Sequence, residues 1–374
     1  MRSWDAIVIG AGPAGALSAS MLARAGARTL LVEREQFPRG KLCGGCIASA
    51  GQDVLQRQGL ADLDSLRNAV RVQRLDLQVG GVRLRVRLPA YRVIDRAELD
   101  AEMAGHAVAL GAEFRDGVRA SVRPGGEVGL EWDGGSEIAR APAVVVCDGI
   151  KGSSLRTHGG FGWRVSRRER VGLGGIAARL PSGCAGDAVT MLCGPAGYVG
   201  IAPLADGRAV IAAAADPKWL AGHKRVRTGP LDAMLDELAI EGMKDINIRA
   251  HAGAPALRRR RDRVETEGKV FVVGDAAGYL EPFTGEGMSW ALSSAELAHG
   301  FVMQAIAGRY AEGSWCSAQG RGEGKLLCKA SAALLRRPRL LRIAAFAISR
   351  VSVLQWGVDR TVRVMQGGQA EATA

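Results

Sequence analysis

The feature that most restricts the fold is a short apolar run that ends in a glycine-rich turn near the start of the chain. Residues 5–9 read as a strand, and Gly10, Gly12 and Gly15 follow in G-x-G-x-x-G spacing before a helix at 16–25. Gly10 permits the turn, Gly12 lets backbone N–H groups approach a pyrophosphate, and Gly15 allows close packing of helix on strand. The sequence therefore predicts a dinucleotide-binding unit with the pyrophosphate at the helix N-terminus.

A second strand completes this unit. It spans 29–32 and is followed by Glu33. Two parallel strands joined by a helix form a βαβ unit. A carboxylate at the end of the second strand accepts hydrogen bonds from ribose hydroxyls, which disfavours a phosphorylated ribose.

Two kinds of sheet follow along the chain. Apolar and polar residues alternate at 71–77 and 82–86, as in antiparallel strands with one solvated face, and β-rich runs recur at 172–215. The first unit is extended by two helices and two strands. Helical spacing of apolar residues occurs at 96–109 and 288–298, and short apolar runs typical of buried strands occur at 143–146 and 269–273. We predict an α/β fold: a Rossmann-type domain, a discontinuous antiparallel-sheet substrate domain and a C-terminal helical tail. The expected segments are 1–70, 92–165 and 264–320 for the nucleotide-binding domain, 71–91 and 166–263 for the substrate domain, and 321–374 for the tail.

Two further motifs follow buried-type strands. Asp148 and Gly149 come after 144–146, and Gly274 and Asp275 come after 271–273. With the first glycine motif they resemble the three fingerprints of the flavoproteins that include p-hydroxybenzoate hydroxylase and geranylgeranyl reductase. The resemblance implies that FAD is the cofactor and that Asp275 binds its ribityl chain.

Finer motifs resemble the geranylgeranyl reductase branch of these flavoproteins. Residues 37–45 are similar to its P-R-x-K-x-C-G-G segment, 281–288 to its P-x-x-G-E-G-[IM] loop, and 96–100 to its R-x-x-[FL]-D helix start. Gly278 stands where flavin hydroxylases usually carry histidine. The resemblance covers roughly residues 1–310 and implies reduction of a carbon–carbon double bond in a lipophilic or aromatic small molecule.

The loop that precedes the helix at 288–298 agrees with such a role. Gly285 and Gly287 let the backbone lie against a ring, and the free N–H groups of a helix start would stabilise negative charge on a reduced flavin. The predicted cofactor-binding residues are Gly10, Gly12, Ala14, Gly15, Glu33, Arg34, Arg39, Cys43, Gly44, Arg96, Val118, Asp148, Gly149, Gly274, Asp275, Gly285, Gly287 and Met288. We predict no metal ligands.

Ene reduction needs a hydride from flavin N5 and a proton from a nearby acid. The predicted catalytic residues are Cys43, Tyr198 and Glu286, with Glu281 as a further candidate proton donor. Either nicotinamide nucleotide, NADPH or NADH, would serve as a transient electron donor.

Cys43 and Cys46 have C-x-x-C spacing, which also fits a redox dithiol. Disulfide reductases carry a second nucleotide-binding domain, and this sequence has no second G-x-G-x-x-G after a strand. Cys43 matches the family's C-G-G cysteine, whereas Cys46 is additional. Seven cysteines in 374 residues do not indicate a disulfide framework.

The substrate domain departs from the reductase pattern. The family's Y-x-W-x-F-P strand corresponds to 198–203, where Tyr198 and Pro203 remain but Gly200 and Ala202 replace two aromatic residues. This replacement predicts a more open pocket and a different or bulkier substrate than a plain prenyl chain.

Other enzyme classes share the fold. An aromatic monooxygenase (hydroxylase) is the main alternative, because it needs chiefly a dry, shaped pocket. Halogenases use a lysine before the R-x-x-L-D helix and a W-x-W-x-I-P segment, and this sequence has neither: no lysine lies between Lys41 and Lys151. A flavin-binding protein without catalysis is a third class.

The formal charge of +12 suggests anionic partners. Arginine is spread over the whole chain, with one tight cluster at 258–263, and no nucleic-acid-binding motif accompanies it, so we expect no nucleic acid partner. We expect a cytoplasmic protein without a signal peptide. The basic stretch 334–342 before the apolar run 343–348 has two interpretations: a helix packed on the substrate domain, or peripheral contact with an anionic membrane.

Overall fold

The structure is a computed structural model. It describes residues 4–165, 169–223, 229–239, 241–243, 246–250, 253–266, 268–281, 283, 285–319 and 334–350. Within this part of the chain no helix is both long and apolar enough to cross a membrane.

The described part of the chain contains both strands and helices. The strands are β1 (Ala6–Ile9), β2 (Thr29–Val32), β3 (Cys46–Ile47), β4 (Val70–Val79), β5 (Val82–Val93), β6 (Glu113–Arg115), β7 (Arg119–Val122), β8 (Val128–Trp132), β9 (Gly135–Ala139), β10 (Ala143–Val146), β11 (Trp163–Val165), β12 (Val171–Ala177), β13 (Ala188–Gly194), β14 (Gly197–Pro203), β15 (Ala209–Ala215), β16 (Ile248–Ala250), β17 (Ala254–Ala256), β18 (Arg259–Arg261), β19 (Glu265–Thr266), β20 (Val270–Val272) and β21 (Gly278–Tyr279). The helices are α1 (Pro13–Arg24), α2 (Ser49–Arg57), α3 (Asp64–Arg67), α4 (Arg96–Ala109), α5 (Pro217–Gly222), α6 (Pro230–Glu237), α7 (Gly287–Ile306), α8 (Ser314–Gln319) and α9 (Pro338–Arg350).

The first sheet has the order β19-β20-β10-β1-β2-β6 and is parallel from β20 to β6. Its central strands β20, β10, β1 and β2 are apolar or nearly so, as expected for strands that are covered on both faces. Helices α1, α4 and α7 bury their apolar residues on one face, and the small sheet β7-β8-β9 covers the other. The α/β fold with a Rossmann-type sheet is confirmed.

The second sheet is mostly antiparallel and joins distant segments. Its order is β16-β12-β15-β14-β13-β4-β5-β3, and β17 also pairs with β12. The hairpin β4-β5 adds to β13 by a parallel pairing, and β3 comes from the segment before the hairpin. Strands of the two sheets fall largely within the segments expected from the sequence, and the division into domains stays a prediction.

Part of the predicted tail lies outside the described residues, at 321–333 and 351–374. The described portion contains α9, which begins at Pro338. Helix α9 packs on β4 and β5 of the second sheet, with Leu341 and Ala345 buried.

Candidate functional site

A cavity of about 440 Å³ lies between the two sheets. On one side it is lined by loops that follow the carboxyl ends of β1, β2, β10 and β20, the edge where doubly wound sheets bind ligands. On the other side it is lined by β4, β5, β13, β14 and β15 of the second sheet. Loops from one sheet and a sheet face from the other therefore meet in a single site.

The first glycine motif forms the turn between β1 and α1. Gly10 has a φ of +97°, and a Cβ there would lie 2.5 Å from the Cys147 carbonyl oxygen. A Cβ on Gly15 would lie 1.7 Å from the Gly10 carbonyl oxygen, so this glycine is required by packing. A Cβ on Gly12 would meet nothing nearer than the Arg96 and Arg39 guanidinium groups, at 3.7 and 3.8 Å. Gly12 thus opens the start of α1, which has no side-chain cap, toward the cavity.

Glu33 is held rigidly at the end of β2. One carboxylate oxygen accepts a hydrogen bond from the Ala11 amide at 3.0 Å and the other from the Arg34 amide at 3.0 Å. Glu33 and Arg34 both line the cavity, beside Val118. This position suits the ribose contact that the sequence predicts for Glu33.

A cationic cluster lines the cavity near Gly12. Arg96 makes two hydrogen bonds of 2.9 Å to Asp100, and Arg39 lies 3.0 Å from the same fully buried carboxylate. Burial and the charges of Arg39 and Arg96 lower the pKa of the neighbouring Lys41. Arg39 also donates to Glu33 at 3.4 Å, so Arg39, Arg96 and Lys41 together face two carboxylates, an arrangement that favours an anion such as a pyrophosphate.

Asp100 and Lys41 were not among the predicted site residues. A signal existed for both: Arg96 and Asp100 have helical i, i+4 spacing, and Lys41 lies inside the segment that resembles the reductases.

The second and third fingerprints place two carboxyl groups in the cavity wall. One Asp148 oxygen accepts from the Ser154 amide at 2.8 Å, and the other is buried with no hydrogen-bond partner among the described residues. Burial raises the pKa of Asp275 to about 6, against the opposing charges of Lys41 and Arg96. Carboxyl groups in this state fit hydroxyl groups of a bound cofactor.

Arg261 connects the loops that carry these two fingerprints. Its side chain donates to the carbonyl oxygens of Gly152, Phe161 and Ala276 at 2.7, 2.5 and 3.1 Å, and its guanidinium stacks on Trp163 at 4.0 Å. Arg261 is only 3% exposed. The sequence shows it only as part of a basic cluster, because its carbonyl partners belong to distant loops.

The loop before α7 borders the cavity through Gly285, Gly287 and Met288. Gly285 has a φ of +78°, and a Cβ there would lie 3.0 Å from the Cys46 Cβ. Glu286 is the N-cap residue of α7, is buried, and lies outside the cavity lining. Pro282 and Thr284 of the same motif lie outside the described residues.

The other predicted site residues divide by position. Gly15 and Gly274 lie behind the cavity lining, where Gly274 has a φ of +64° and faces the Ala14 Cβ. Those that line the cavity are Gly10, Gly12, Ala14, Glu33, Arg34, Arg39, Cys43, Gly44, Arg96, Val118, Asp148, Gly149, Tyr198, Asp275, Gly285, Gly287 and Met288.

Cys43 and Cys46 are both free thiols in different surroundings. Cys43 is partly exposed in the cavity and lies beside the Arg96 guanidinium. Cys46 is buried, donates to the Gly44 carbonyl oxygen, and has its pKa raised by burial to about 12. A thiol with that pKa is protonated near neutral pH, which disfavours thiolate chemistry at Cys46.

Tyr198 lines the cavity on the side of the second sheet. Burial and the adjacent Glu281 carboxylate raise the pKa of Tyr198 well above its ordinary value, and its ring meets Phe283 edge to face at 5.2 Å. Glu281 accepts a hydrogen bond from Arg170 at 3.0 Å, and Arg170 also donates to the Leu335 carbonyl oxygen at 2.7 Å. A residue of the tail is therefore tied to the network behind Tyr198.

The turn, the carboxyl groups and the cations fit a dinucleotide, and the comparison with protein families agrees. The FAD binding domain family model matches residues 3–308. The chain belongs to this family. It is an FAD-dependent oxidoreductase.

Two curated relatives are similar over most of their length. The menaquinone reductase of Mycolicibacterium smegmatis is 27% identical over 389 aligned positions, covering 96% of this chain and 91% of the relative. The digeranylgeranylglycerophospholipid reductase 1 of Methanopyrus kandleri is 27% identical over 316 positions, covering 81% of each. Among solved structures, the flavin-dependent brominase Bmp2 superposes with a TM-score of 0.79 at 16% identity, covering 98% of this chain and 94% of that one. At that identity the likeness shows the fold alone.

Proposed function

We propose that this FAD-binding family member reduces a carbon–carbon double bond in a lipophilic, isoprenoid-like substrate. The observation that carries the proposal is the division of the cavity. Charged residues line its Rossmann side, whereas the second sheet contributes, besides Cys46, Tyr91 and Tyr198, apolar residues that include Leu75, Val86, Leu88, Val189, Met191, Gly200, Ala202, Ala212, Ala213 and Ala214. Such a wall favours a hydrocarbon and offers few partners to a polar ring. The names of the two reductase relatives support this class of reaction.

FAD, when bound, would supply the hydride for this reduction. The chain must supply the proton, and we propose Cys43 as its donor. Cys43 lies in the cavity lining, whereas Glu286 lies behind it. Tyr198 also faces the cavity, but its strongly raised pKa makes it a weak acid beside the Glu281 carboxylate. We propose that Tyr198 shapes the wall.

Anaerobic single turnover tests the reaction. The enzyme is reduced with dithionite, mixed with menaquinone-4 or with a digeranylgeranylglycerophospholipid, and followed by flavin absorbance and by mass spectrometry of the lipid. We expect flavin reoxidation without oxygen and a product that, after any quinol has been reoxidised in air, remains heavier by two hydrogens, with the added mass in its isoprenoid fragments. Reoxidation that requires oxygen and yields a hydroxylated product would establish the aromatic monooxygenase alternative, and bromide incorporation would establish a halogenase.

We propose a reduced nicotinamide nucleotide, NADH or NADPH, as the transient electron donor. The support is the sequence, which has one G-x-G-x-x-G motif, so that a donor would bind only transiently at the cavity. Rapid mixing of the oxidised holoenzyme with each nucleotide is expected to bleach the flavin, with dithionite as the positive control. Bleaching by dithionite alone would show that a different reductant serves this enzyme.

We also propose that the tail contacts an anionic membrane from which the substrate is drawn. Residues 334–350 include Arg336, Arg337, Arg339, Arg342 and Arg350 and no acidic residue. Leu340, Ile343 and Phe346 of α9 are 46%, 65% and 53% exposed. An apolar face flanked by arginines binds anionic surfaces, with about 1 kcal/mol from each cation near the surface.

Substitutions test this contact better than deletion of 334–374, since Leu335 and Arg336 bond to Arg170 and Glu169. Leu340→Asp with Ile343→Asp is expected to weaken salt-sensitive binding to phosphatidylglycerol vesicles at least about tenfold while FAD stays bound. Leu297→Asp, at an exposed leucine of α7, is the matched control. Equal binding by the double variant and the wild type would rule out α9 as the contact.

A further inference from the structure

Strand β14 presents alternate residues to the cavity. Tyr198, Gly200 and Ala202 line it, whereas Val199 and Ile201 lie on the opposite face in a separate apolar cluster. This alternation is the period of a β-strand. The two positions where aromatic residues were expected, 200 and 202, therefore both border the substrate side of the cavity.

The space beside Gly200 is taken by Met191. These two residues are direct partners in the register of β13 and β14. A Cβ on Gly200 would lie 2.8 Å from the Met191 sulfur and 3.8 Å from its terminal methyl carbon. Met191 lines the cavity and is 5% exposed. The more open pocket expected at Gly200 is thus filled by a neighbouring side chain, and the opening is confined to Ala202.

We propose that Met191 is the specificity-determining residue that sets the width of the substrate chamber, and that Gly200 is the residue that lets it fold back against the sheet. Methionine is unbranched and has three rotatable side-chain bonds, so it fits irregular spaces and can move aside for a bulky group. Its neighbours in the wall, Val189 on the same strand and Ala212 on β15, lack this freedom. The proposal rests on the proposed function only in treating this chamber as the substrate site.

Two alcohols of equal carbon number are used as probes: geranylgeraniol, which is acyclic, and retinol, which carries a ring. Comparing them separates the effect of chamber width from the effect of the ligand's apolar character. Their dissociation constants are measured with the oxidised holoenzyme by perturbation of the flavin spectrum. Gly200→Ala forces Met191 toward the chamber, so we expect weaker retinol binding by about tenfold and a smaller loss for geranylgeraniol. Met191→Ala is expected to improve retinol relative to geranylgeraniol.

The double variant Met191→Ala with Gly200→Ala tests whether the effect of Gly200→Ala acts through Met191. With Met191 shortened, the added methyl group at position 200 meets no sulfur, so Met191→Ala should restore most of the retinol affinity lost in Gly200→Ala. Met243→Ala, a methionine that packs against the apolar cluster on the opposite face of the sheet, should change neither probe.

Strictly additive effects, or no effect of Gly200→Ala on either probe, would overturn the proposal. Failure of wild type and variants to bind either probe would overturn it too, and would leave the reductase proposal standing if lipid-dependent flavin reoxidation still occurs. Rescue in the double variant without any alkene turnover would support Met191 while refuting the reductase proposal.

Discussion

At the scale of single residues, Asp275 makes the stability of the cofactor-free protein depend on pH. Its pKa is raised from 3.8 to about 6 in the folded chain. Between these values the folded protein keeps a proton that the unfolded chain releases, so the free energy of unfolding falls as pH rises, by up to about 3 kcal/mol. Asparagine at position 275 has no titratable proton. Asp275→Asn should therefore lack this decrease in the free energy of unfolding with pH. Urea denaturation of both apo-proteins from pH 4 to 7 measures the difference, and parallel curves would contradict it.

Cys43 and Cys46 give the second prediction for single residues. Cys43→Ser should lower single-turnover lipid reduction at least about tenfold, because a proposed proton donor that lines the cavity is replaced by a weaker acid. Cys46→Ser should change it much less, since that thiol is buried and bonded to the Gly44 carbonyl oxygen. Thiol titration accompanies both assays. Equal losses together with a titratable disulfide would favour dithiol chemistry.

Residues fixed by local backbone constraints could be predicted, whereas charges fixed by tertiary contacts could not. Gly10 is required by its positive φ and Gly15 by contact with a residue of the same turn. The spacing of the glycine motif predicts both requirements. Arg261 meets its carbonyl partners, and Asp100 meets Arg39, only when the chain folds, whereas the pairing of Asp100 with Arg96 is local. Gly200 shows the same limit, since only the register of β13 and β14 reveals that Met191 lies over it.

At the scale of elements, β18 ties the second fingerprint loop to the third through Arg261. Arg261→Lys keeps the charge but cannot reach all three carbonyl oxygens. Leaving buried carbonyls unpaired should cost about 2–4 kcal/mol of stability and weaken FAD retention. Thermal unfolding and flavin content measure both effects. Arg260→Lys, at the exposed neighbour on the same strand, is the control, and equal behaviour of the two variants would refute the role.

The helices agree with their predicted bounds to different degrees. Helix α1 begins at Pro13, three residues before the predicted 16–25, and α7 continues to Ile306, beyond the predicted 288–298. Helix α4 spans the predicted 96–109, because apolar spacing marks its length and the Asp95 side chain caps its start. Pairings between strands that are distant in sequence could not be predicted from local patterns. The parallel match of β13 with β4 and the addition of β3 to the edge depend on how the two sheets meet. These pairings build the side of the cavity formed by the second sheet, so the shape of that side was the least predictable part of the site.

At the scale of the whole molecule, two substitutions in the turn between β1 and α1 should distinguish loss of FAD binding from loss of folding. A side chain on Gly12 would point into the cavity, where its first carbon would make ordinary van der Waals contact with the Arg96 guanidinium, at 3.7 Å. Gly12→Val should therefore leave the apo-protein folded while filling the place of the pyrophosphate, and the purified protein should be colourless. Gly15→Ala would place a carbon 1.7 Å from the Gly10 carbonyl oxygen, so α1 could not pack on β1 and the fold itself should be lost.

Circular dichroism with flavin absorbance separates these outcomes, and wild type, yellow after FAD reconstitution, is the reference. A yellow Gly12→Val protein, or a wild type that folds but never retains FAD, would refute the assignment of this turn to the flavin.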